Sequence, residues 1–437
     1  MPSRLFGRFV SLARIRSLLG SSALRATAVL GASGLALACG NLLLARALPT
    51  DEFARFSLLF SIVMVGISIG PIGADVILTR RKFDPGAKMH RQVLFTSGAV
   101  GAILAIICGL IYPLSFVLLA TIFVSVSAGG VKTVAVAHYR SQERFGVALA
   151  LTVSTHASVL IAAGVTVLVG ARDALLPAVI LCIGLCASAL VGWRTVTGQR
   201  QSPGGSGDSY PWGEGWSAAG FMTAGMILNS LDRLVTPRLL GLSPLATLSV
   251  LATLVVSPFT ILNQGIGYTL VPRLRNATSH SARRRVFVRE SAVVGATCIA
   301  AGLVAWWLTP LVLKYVLSDR YQISGLLLLV AICGGILRIG GSLSASAVSA
   351  VGSGNDLAKL SAASWLAIAA GLIGAAIGSH WGITGLVSGV CVGVLVRAVV
   401  ISWIASPHLA NTAAQQARRM QPAPGQPVAT QRSGKGP

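Results

Sequence analysis

The sequence predicts an all-α, polytopic membrane protein of about twelve transmembrane helices, built from two related halves. Hydrophobic residues make up 54% of the chain and charged residues only 11%, whereas a soluble domain carries about 25% charged residues. The mean hydropathy is +0.76. Many apolar runs reach about 20 residues, the length that crosses a bilayer as a helix.

Twelve such runs can be placed along the chain. They are 27–48, 56–78, 93–112, 114–136, 146–169, 175–193, 217–240, 245–271, 291–313, 323–351, 360–377 and 382–404. All seven cysteines fall inside them. Since no metal-type spacing is present, we expect buried free thiols.

The second half repeats part of the first. Shifted by 192 positions, residues 46–81 align with 238–273 without a gap, and ten of the 36 aligned positions are identical. Roughly three or four identities are expected by chance from so skewed a composition. The match begins at Arg46/Arg238 and ends at Arg81/Arg273. Duplicated halves are typical of transporters that give alternating access to a central site.

Basic residues indicate the orientation. Lys and Arg collect in short cytoplasmic loops, and 25 of the 35 basic residues fall on one predicted side, that of both termini. We therefore expect both termini in the cytoplasm, which requires an even number of spans. The net charge of +23 lies in juxtamembrane loops, so attraction to anionic lipid is expected and nucleic-acid binding is not.

Five regions follow from these patterns. They are a basic cytoplasmic N-terminal segment (1–26), an N-terminal six-helix bundle (27–193), a cytoplasmic linker (194–216), a C-terminal six-helix bundle (217–404) and a disordered cytoplasmic tail (405–437). The basic N-terminus superficially resembles a mitochondrial presequence, but its apolar residues share a face, which favours a short interfacial helix.

Ionisable residues inside spans are costly and suggest function. Arg338 lies mid-span, too deep to reach water, and we expect it to line a polar cavity. Lys132 and Arg397 lie closer to the cytoplasmic side and could instead extend to the headgroups. Asn229, Asp232 and Arg233 form one polar patch on the seventh span.

Three further positions have weaker claims. Asp75 could couple to transport or simply pair with Arg80 or Arg81. Arg46 and Arg238, equivalent in the repeat, are expected at the mouth of a cavity, or as interface anchors. Because the cations outnumber the acids, the pattern favours an anion, and arginine suits phosphate through its forked donors. No phosphate loop, metal-ligand cluster or nucleophile triad is found, so neither a metal nor a cofactor is expected.

Several loose motifs, in order, resemble those of one family. They are residues 41–58, Gly73-Ala-Asp75 with Arg80, Tyr139-Arg140-Ser-Gln142, Asn229-Ser-Leu-Asp232-Arg233 with Leu240-Gly241, and Leu270-Val-Pro272. The chain is similar to polysaccharide-biosynthesis proteins, the lipid-linked oligosaccharide flippases of the multidrug/oligosaccharide-lipid/polysaccharide (MOP) exporter superfamily. The resemblance implies two six-helix bundles around a central cavity.

The resemblance also implies a function. Such proteins move undecaprenyl-diphosphate-linked sugars, the precursors of polysaccharides such as O-antigen and exopolysaccharide, from the cytoplasmic to the periplasmic leaflet of the bacterial inner membrane. Arg46, Asp232 and Arg233 carry over as motif positions, whereas Lys132, Arg338 and Arg397 rest on depth and charge. Implied partners are the lipid-linked anionic glycan, membrane lipids, and the glycan polymerase and glycosyltransferases of the same pathway.

Other functions stay open at this point. A multidrug or cation antiporter of the same superfamily should carry an acidic cavity, whereas this sequence favours a basic one. A glycan polymerase or ligase should carry a long external loop with catalytic residues, and an envelope-assembly scaffold would not transport at all. The sequence predicts a transporter and not an enzyme.

Overall fold

A computed structural model describes residues 22–81, 86–197, 212–277 and 279–409. The predicted interfacial helix, the centre of the linker and most of the predicted tail lie outside these ranges. Within them the chain is helical and contains no strand. The helices are α1 (Ser22–Ala47), α2 (Thr50–Ile69), α3 (Ala74–Arg81), α4 (Gly86–Ile111), α5 (Phe116–Ser141), α6 (Phe145–Val169), α7 (Leu175–Thr197), α8 (Trp212–Leu239), α9 (Leu242–Leu251), α10 (Ser257–Asn276), α11 (His280–Tyr315), α12 (Gly325–Val351), α13 (Gly354–Gly378) and α14 (Gly382–Leu409).

These helices make the twelve predicted crossings of a multi-pass membrane protein. Nine stretches of the described chain are long and apolar enough to span a membrane, and one of them contains both α13 and α14. The remaining crossings are α1 and α8. Helices α2 and α3 form one crossing, as do α9 and α10. We call the end at which α1 begins and α14 ends the proximal end, and the opposite end the distal end.

The repeat read from the sequence is present in the fold. Helices α1 and α8 end at Ala47 and Leu239, and α2 and α9 begin at Thr50 and Leu242, each pair 192 residues apart. The packing repeats as well, since α1 contacts α6 as α8 contacts α13, and α5 contacts α7 as α12 contacts α14. Two six-helix bundles related by a parallel repeat are therefore confirmed.

The two bundles meet through their first helices. Helices α1, α2 and α3 of the N-terminal half contact α8, α9 and α10 of the C-terminal half. One apolar core runs across this boundary, because Leu44, Phe53 and Leu59 belong to the same buried cluster as Leu245 and Val250. Burial at the junction of the halves thus stabilises the whole molecule.

The halves differ in the second crossing. In the N-terminal half the predicted span 56–78 breaks after Ile69, where Ile72 and Gly73 adopt positive φ angles of 48° and 72°. A side chain at Gly73 would clash, since its Cβ would lie 2.3 Å from the carbonyl oxygen of Gly215 on α8. The C-terminal crossing continues instead through a π-helical turn, Ala252–Val256, just before Pro258. π-Turns inside helices are frequent at functional sites.

The cysteines follow the prediction only in part. All seven are free, but Cys39 and Cys333 are exposed on the surface of the bundle, whereas Cys108 and Cys298 are buried. Burial was inferred from their place in apolar spans, and an apolar span has one face toward lipid. The prediction that every thiol is buried is therefore wrong for these two.

Candidate functional site: a cationic cavity in the C-terminal half

A small cavity, partly open to solvent, lies within the C-terminal half. Its walls come from α8, α9 with the π-turn, α12 and α14. The lining residues are Asp232, Leu248, Leu251, Ala252, Val256, Ala331, Gly334, Arg338, Val387 and Cys391. A carboxylate and a guanidinium are thus set among apolar groups, where electrostatic interactions are stronger than in water.

Arg338 is the cavity residue with uncommitted hydrogen-bond donors. It lies one helical turn after Gly334 on α12, so both residues face the same cavity. Its Nε and Nη1 atoms are buried, and neither has a hydrogen-bond partner. A buried donor without an acceptor costs about 1–3 kcal/mol, and more when it is charged. The side chain therefore favours an acceptor, above all an anion.

Asp232 and Arg233 form a second part of the site. Asp232 is 6% exposed. Its Oδ1 atom accepts a hydrogen bond from the Arg233 amide at 3.0 Å and lies 4.0 Å from the Arg233 Nε atom. Arg233 is also near enough to Arg338 for the two guanidinium groups to repel each other. One carboxylate thus partly neutralises a pair of arginines.

Arg397 completes the cluster but is held by the protein. Its Nε atom donates a hydrogen bond to the Oγ atom of Ser364 on α13 at 3.2 Å. Its guanidinium carbon lies 5.3 Å from the ring centre of Phe221 on α8. Gly225 leaves room for it, because a Cβ there would lie 2.9 Å from the Arg397 Nη2 atom. Arg397 therefore ties three helices together while adding positive charge near Arg338.

The cluster as a whole is suited to an anion. The cluster combines Arg233, Arg338 and Arg397 with the single carboxylate of Asp232, a formal excess of two positive charges. Planar, forked guanidinium donors match the oxygen geometry of phosphates. Among the described residues, no group of three His, Cys, Asp or Glu side chains could hold a metal ion.

Lys132 lies in the other half of the molecule. It projects from α5, is 6% exposed, and donates a hydrogen bond to the Oγ1 atom of Thr155 on α6. His156 interacts electrostatically with it and bonds the Ser33 hydroxyl on α1. Lys132 does not line the cavity that contains Arg338. The structure thus separates it from the three arginines with which the sequence grouped it.

The remaining predicted site residues lie at several places. Asn229 is half-buried on α8, and its backbone carbonyl accepts a 3.4 Å hydrogen bond from Arg233. Asp75 on α3 interacts electrostatically with Arg140; the side chains of Arg80 and Arg81 lie outside the described part of the chain, so the pairing suggested for them stays a prediction. Arg46 and Arg238 are exposed in the last turns of α1 and α8, equivalent positions at the distal end.

The residues that hold the charged side chains of the site in place were not predicted from the sequence. Ser364 and Phe221, which hold Arg397, and Cys391, which lines the cavity, carry no pattern that sets them apart in an apolar helix. The glycines were a usable signal. Gly334 faces the Cys391 Sγ atom across the cavity wall, where a Cβ would approach it to 2.7 Å.

Comparisons with known proteins show what the fold resembles. No protein-family model and no curated protein matches the chain. Solved structures do match. The lipid II flippase MurJ in an inward closed conformation aligns with a TM-score of 0.61 and 9% identity, over 87% of this chain and 87% of that one. A multidrug-resistance MATE family transporter in an outward-facing conformation aligns with a TM-score of 0.60 and 12% identity, over 89% and 95%.

A third match concerns a MOP superfamily transporter from Pyrococcus furiosus, for which the reverse polarity of the binding pocket suggested a different function. It aligns with a TM-score of 0.59 and 11% identity, over 88% of this chain and 96% of that one. At such identities the comparisons establish the fold. The resemblance to the MOP superfamily drawn from the sequence motifs is confirmed at that level.

Proposed function

We propose that the protein is a membrane transporter that moves a lipid-linked anionic glycan across the bilayer by alternating access of its two halves. The observation that carries the proposal is Arg338, whose buried Nε and Nη1 donors have no partner, in a cluster of three arginines and one carboxylate. A diphosphate supplies several acceptor oxygens and negative charge to the same point.

The charge of the cavity favours an anion over the cation of an antiporter. The matched fold includes both MATE transporters and a lipid II flippase, so the fold by itself does not distinguish the two functions. A cationic drug would have to enter beside three guanidinium groups. Like charges in a medium of low dielectric constant repel strongly, and one carboxylate, already shared with Arg233, offsets little of that repulsion.

Of the four charged groups, Asp232 and Arg338 line the cavity, and each of the four has a different role in this proposal. Arg338 binds the diphosphate, and Arg233 adds a second guanidinium whose position Asp232 sets. Arg397 supplies positive charge and keeps α8, α13 and α14 in register. The sugar crosses through the hydrated space between the halves, and the polyprenyl tail stays in the lipid. No covalent step is involved.

The proposed setting is the bacterial inner membrane, with both termini in the cytoplasm and the distal end toward the periplasm. Excess Lys and Arg on the loops of the proximal side supports this orientation. Enzymes that build and polymerise the glycan on either side of the membrane are the proposed partners, since they supply and remove the substrate.

Binding of the headgroup is the first test. The purified protein in nanodiscs is titrated with undecaprenyl diphosphate, and in parallel with a quaternary ammonium cation. We expect the diphosphate to bind, and Arg338→Gln to weaken its affinity about tenfold or more, as loss of a charge-assisted hydrogen bond requires. Arg289→Gln removes an exposed arginine of α11 and is the matched control.

Translocation is the second test. Vesicles carrying wild type, Arg338→Gln or Arg289→Gln are loaded with a lipid-linked oligosaccharide, and its appearance in the opposite leaflet is followed with a membrane-impermeant lectin. We expect wild type and the control to translocate and Arg338→Gln to fail. Cation binding without diphosphate binding would support the antiporter instead, and normal translocation by Arg338→Gln would overturn the site.

A further inference from the structure

Two tyrosine side chains form hydrogen bonds from one half to the other at the distal end. Tyr112, in the α4–α5 connection, donates a hydrogen bond to the carbonyl oxygen of Leu234 on α8 at 2.6 Å. Tyr321, in the α11–α12 connection, donates one to the carbonyl oxygen of Ala45 on α1 at 2.9 Å. Each half thus reaches from the same kind of connection to the first helix of the other half.

The two connections are related by a short sequence repeat. Tyr112-Pro-Leu-Ser115 precedes α5, and Tyr321-Gln-Ile-Ser324 precedes α12, at a constant offset of 209. Both serines cap their helices, Ser115 by accepting from the Leu118 amide and Ser324 from the Leu327 amide. The two caps give both connections the same local geometry. Each tyrosine side chain therefore extends from its own half toward the other in the same way.

An arginine reinforces one of the two contacts. Arg320 Nη1 donates to the carbonyl oxygens of Ala45 at 3.3 Å and Leu48 at 2.8 Å, and Nη2 donates to Thr50 Oγ1 at 3.0 Å. The Ala45 carbonyl needs these donors, because the residue four positions on is Pro49, which has no N–H to offer. The C-terminus of α1 is therefore capped by the opposite half.

The contacts are embedded in the apolar boundary of the halves. Tyr321 is 3% exposed, and its ring packs edge-on against Phe53 of α2 with centres 6.3 Å apart. The hydrogen bond of Tyr321 is buried and that of Tyr112 is partly buried, and both join the two halves at the distal end. Any alternating-access movement that opens this end must break them.

We infer that Tyr112, Tyr321 and Arg320 form a clasp that locks the distal end shut, and that the clasp sets how often this end opens. The inference rests on the two-half fold and not on the identity of the substrate. Substrate binding at Arg338 and the strength of the clasp are separate properties of different residues, so they can be tested separately.

The test measures opening directly. Spin labels are placed at Arg172→Cys and His380→Cys, exposed residues in the α6–α7 and α13–α14 connections of opposite halves, after replacement of the seven native cysteines. Pulsed dipolar spectroscopy in nanodiscs then gives the distance distribution. We expect Tyr112→Phe, Tyr321→Phe and Arg320→Gln each to raise the open-to-closed ratio, by about fivefold for each hydrogen bond lost.

Two control variants accompany the substitutions in the clasp. Tyr315→Phe and Lys314→Gln alter a neighbouring tyrosine and cation whose ring contact stays within α11, and both should give the wild-type distribution. Wild-type distances in the Tyr112→Phe/Tyr321→Phe double variant and in Arg320→Gln would overturn the clasp. An effect from one tyrosine alone would overturn the crossed pair. Because no substrate is present, none of these results depends on what the protein transports.

Discussion

The Nε atom of Arg397 lies 3.2 Å from the Oγ atom of Ser364 and donates a hydrogen bond to it. Arg338, in the same cluster, has two buried donor atoms without partners. Two arginines of equal charge therefore serve different ends, since one stabilises the helix packing and the other stays available for a ligand.

This difference predicts opposite effects on stability. Arg397→Met should lower the free energy of unfolding by roughly 2 kcal/mol, because it removes a hydrogen bond to a charged group and a ring contact. Arg338→Met should leave the ligand-free protein as stable or raise its stability by about 1 kcal/mol, because an unpaired buried charge is removed. Thermal unfolding in detergent measures both, and the reverse order would contradict the assignment.

Lys132→Met tests whether the N-terminal half contributes a charge to the binding site. Since Lys132 lies on α5 and does not line the cavity, the variant should bind undecaprenyl diphosphate within about twofold of wild type, a difference below about 0.5 kcal/mol. The same titration that tests Arg338→Gln measures this affinity. A loss as large as that of Arg338→Gln would return Lys132 to the binding site proposed from the sequence.

Helices α13 and α14 should not tolerate a methyl group where they cross. A Cβ at Gly389 would lie 2.0 Å from the Gly374 carbonyl oxygen, which is backbone and cannot move aside. Gly389→Ala should therefore destabilise the protein by about 3 kcal/mol or prevent folding.

Gly340→Ala is the control for that substitution, because a Cβ there meets nothing within 4 Å. It should be neutral or stabilise by about 0.5–1 kcal/mol, since alanine has the higher helix propensity. Measured side by side, the melting temperature of Gly389→Ala should lie below that of wild type, and that of Gly340→Ala should equal or exceed it. Equal melting temperatures for the two variants would contradict the close contact of α13 and α14 at Gly374 and Gly389.

The clasp should not respond to pH in the physiological range. Burial, with a smaller effect of Cys108, raises the pKa of Tyr112 to about 12, and burial also raises the pKa of Tyr321. An unfolded tyrosine titrates near pH 10. A raised folded pKa means that the contribution to stability is complete below about pH 10 and is lost between about pH 10 and 12.

The measurement is the difference in closed-state population between wild type and the Tyr112→Phe/Tyr321→Phe variant. It should be constant from about pH 6 to 9 and shrink above about pH 10. A difference that already falls below pH 9 would show that another group titrates within the clasp.

Much of the fold could be predicted from the sequence. Long apolar runs fix the spans, and the identities between 46–81 and 238–273 fix the two halves, because both signals are local or simply periodic. The offset of 192 residues could not reveal that the second crossing of the N-terminal half is interrupted near Gly73, whereas the second crossing of the C-terminal half contains a π-turn. Those differences depend on contacts with α8 and α12, which lie far away in the sequence.

The candidate site could be predicted only in part. Depth in an apolar span indicated Arg338 and Arg397, and spacing indicated Asp232 with Arg233, so all four charged groups of the cluster were predicted. Depth could not show that Lys132 does not line the cavity, because depth reports position across the membrane and not around the bundle. Tyr112 and Tyr321 were missed, since tyrosines near span ends usually anchor the interface.

The crossed contacts of Tyr112 and Tyr321 are those of a symmetric dimer, in which the same patch on each copy meets its counterpart. Here the two copies are covalently joined, and each donates a tyrosine hydrogen bond to the first helix of the other. The chain is therefore organised like a fused homodimer, in which both halves take part in the crossed contacts but the arginine cluster lies in one half alone of the described chain.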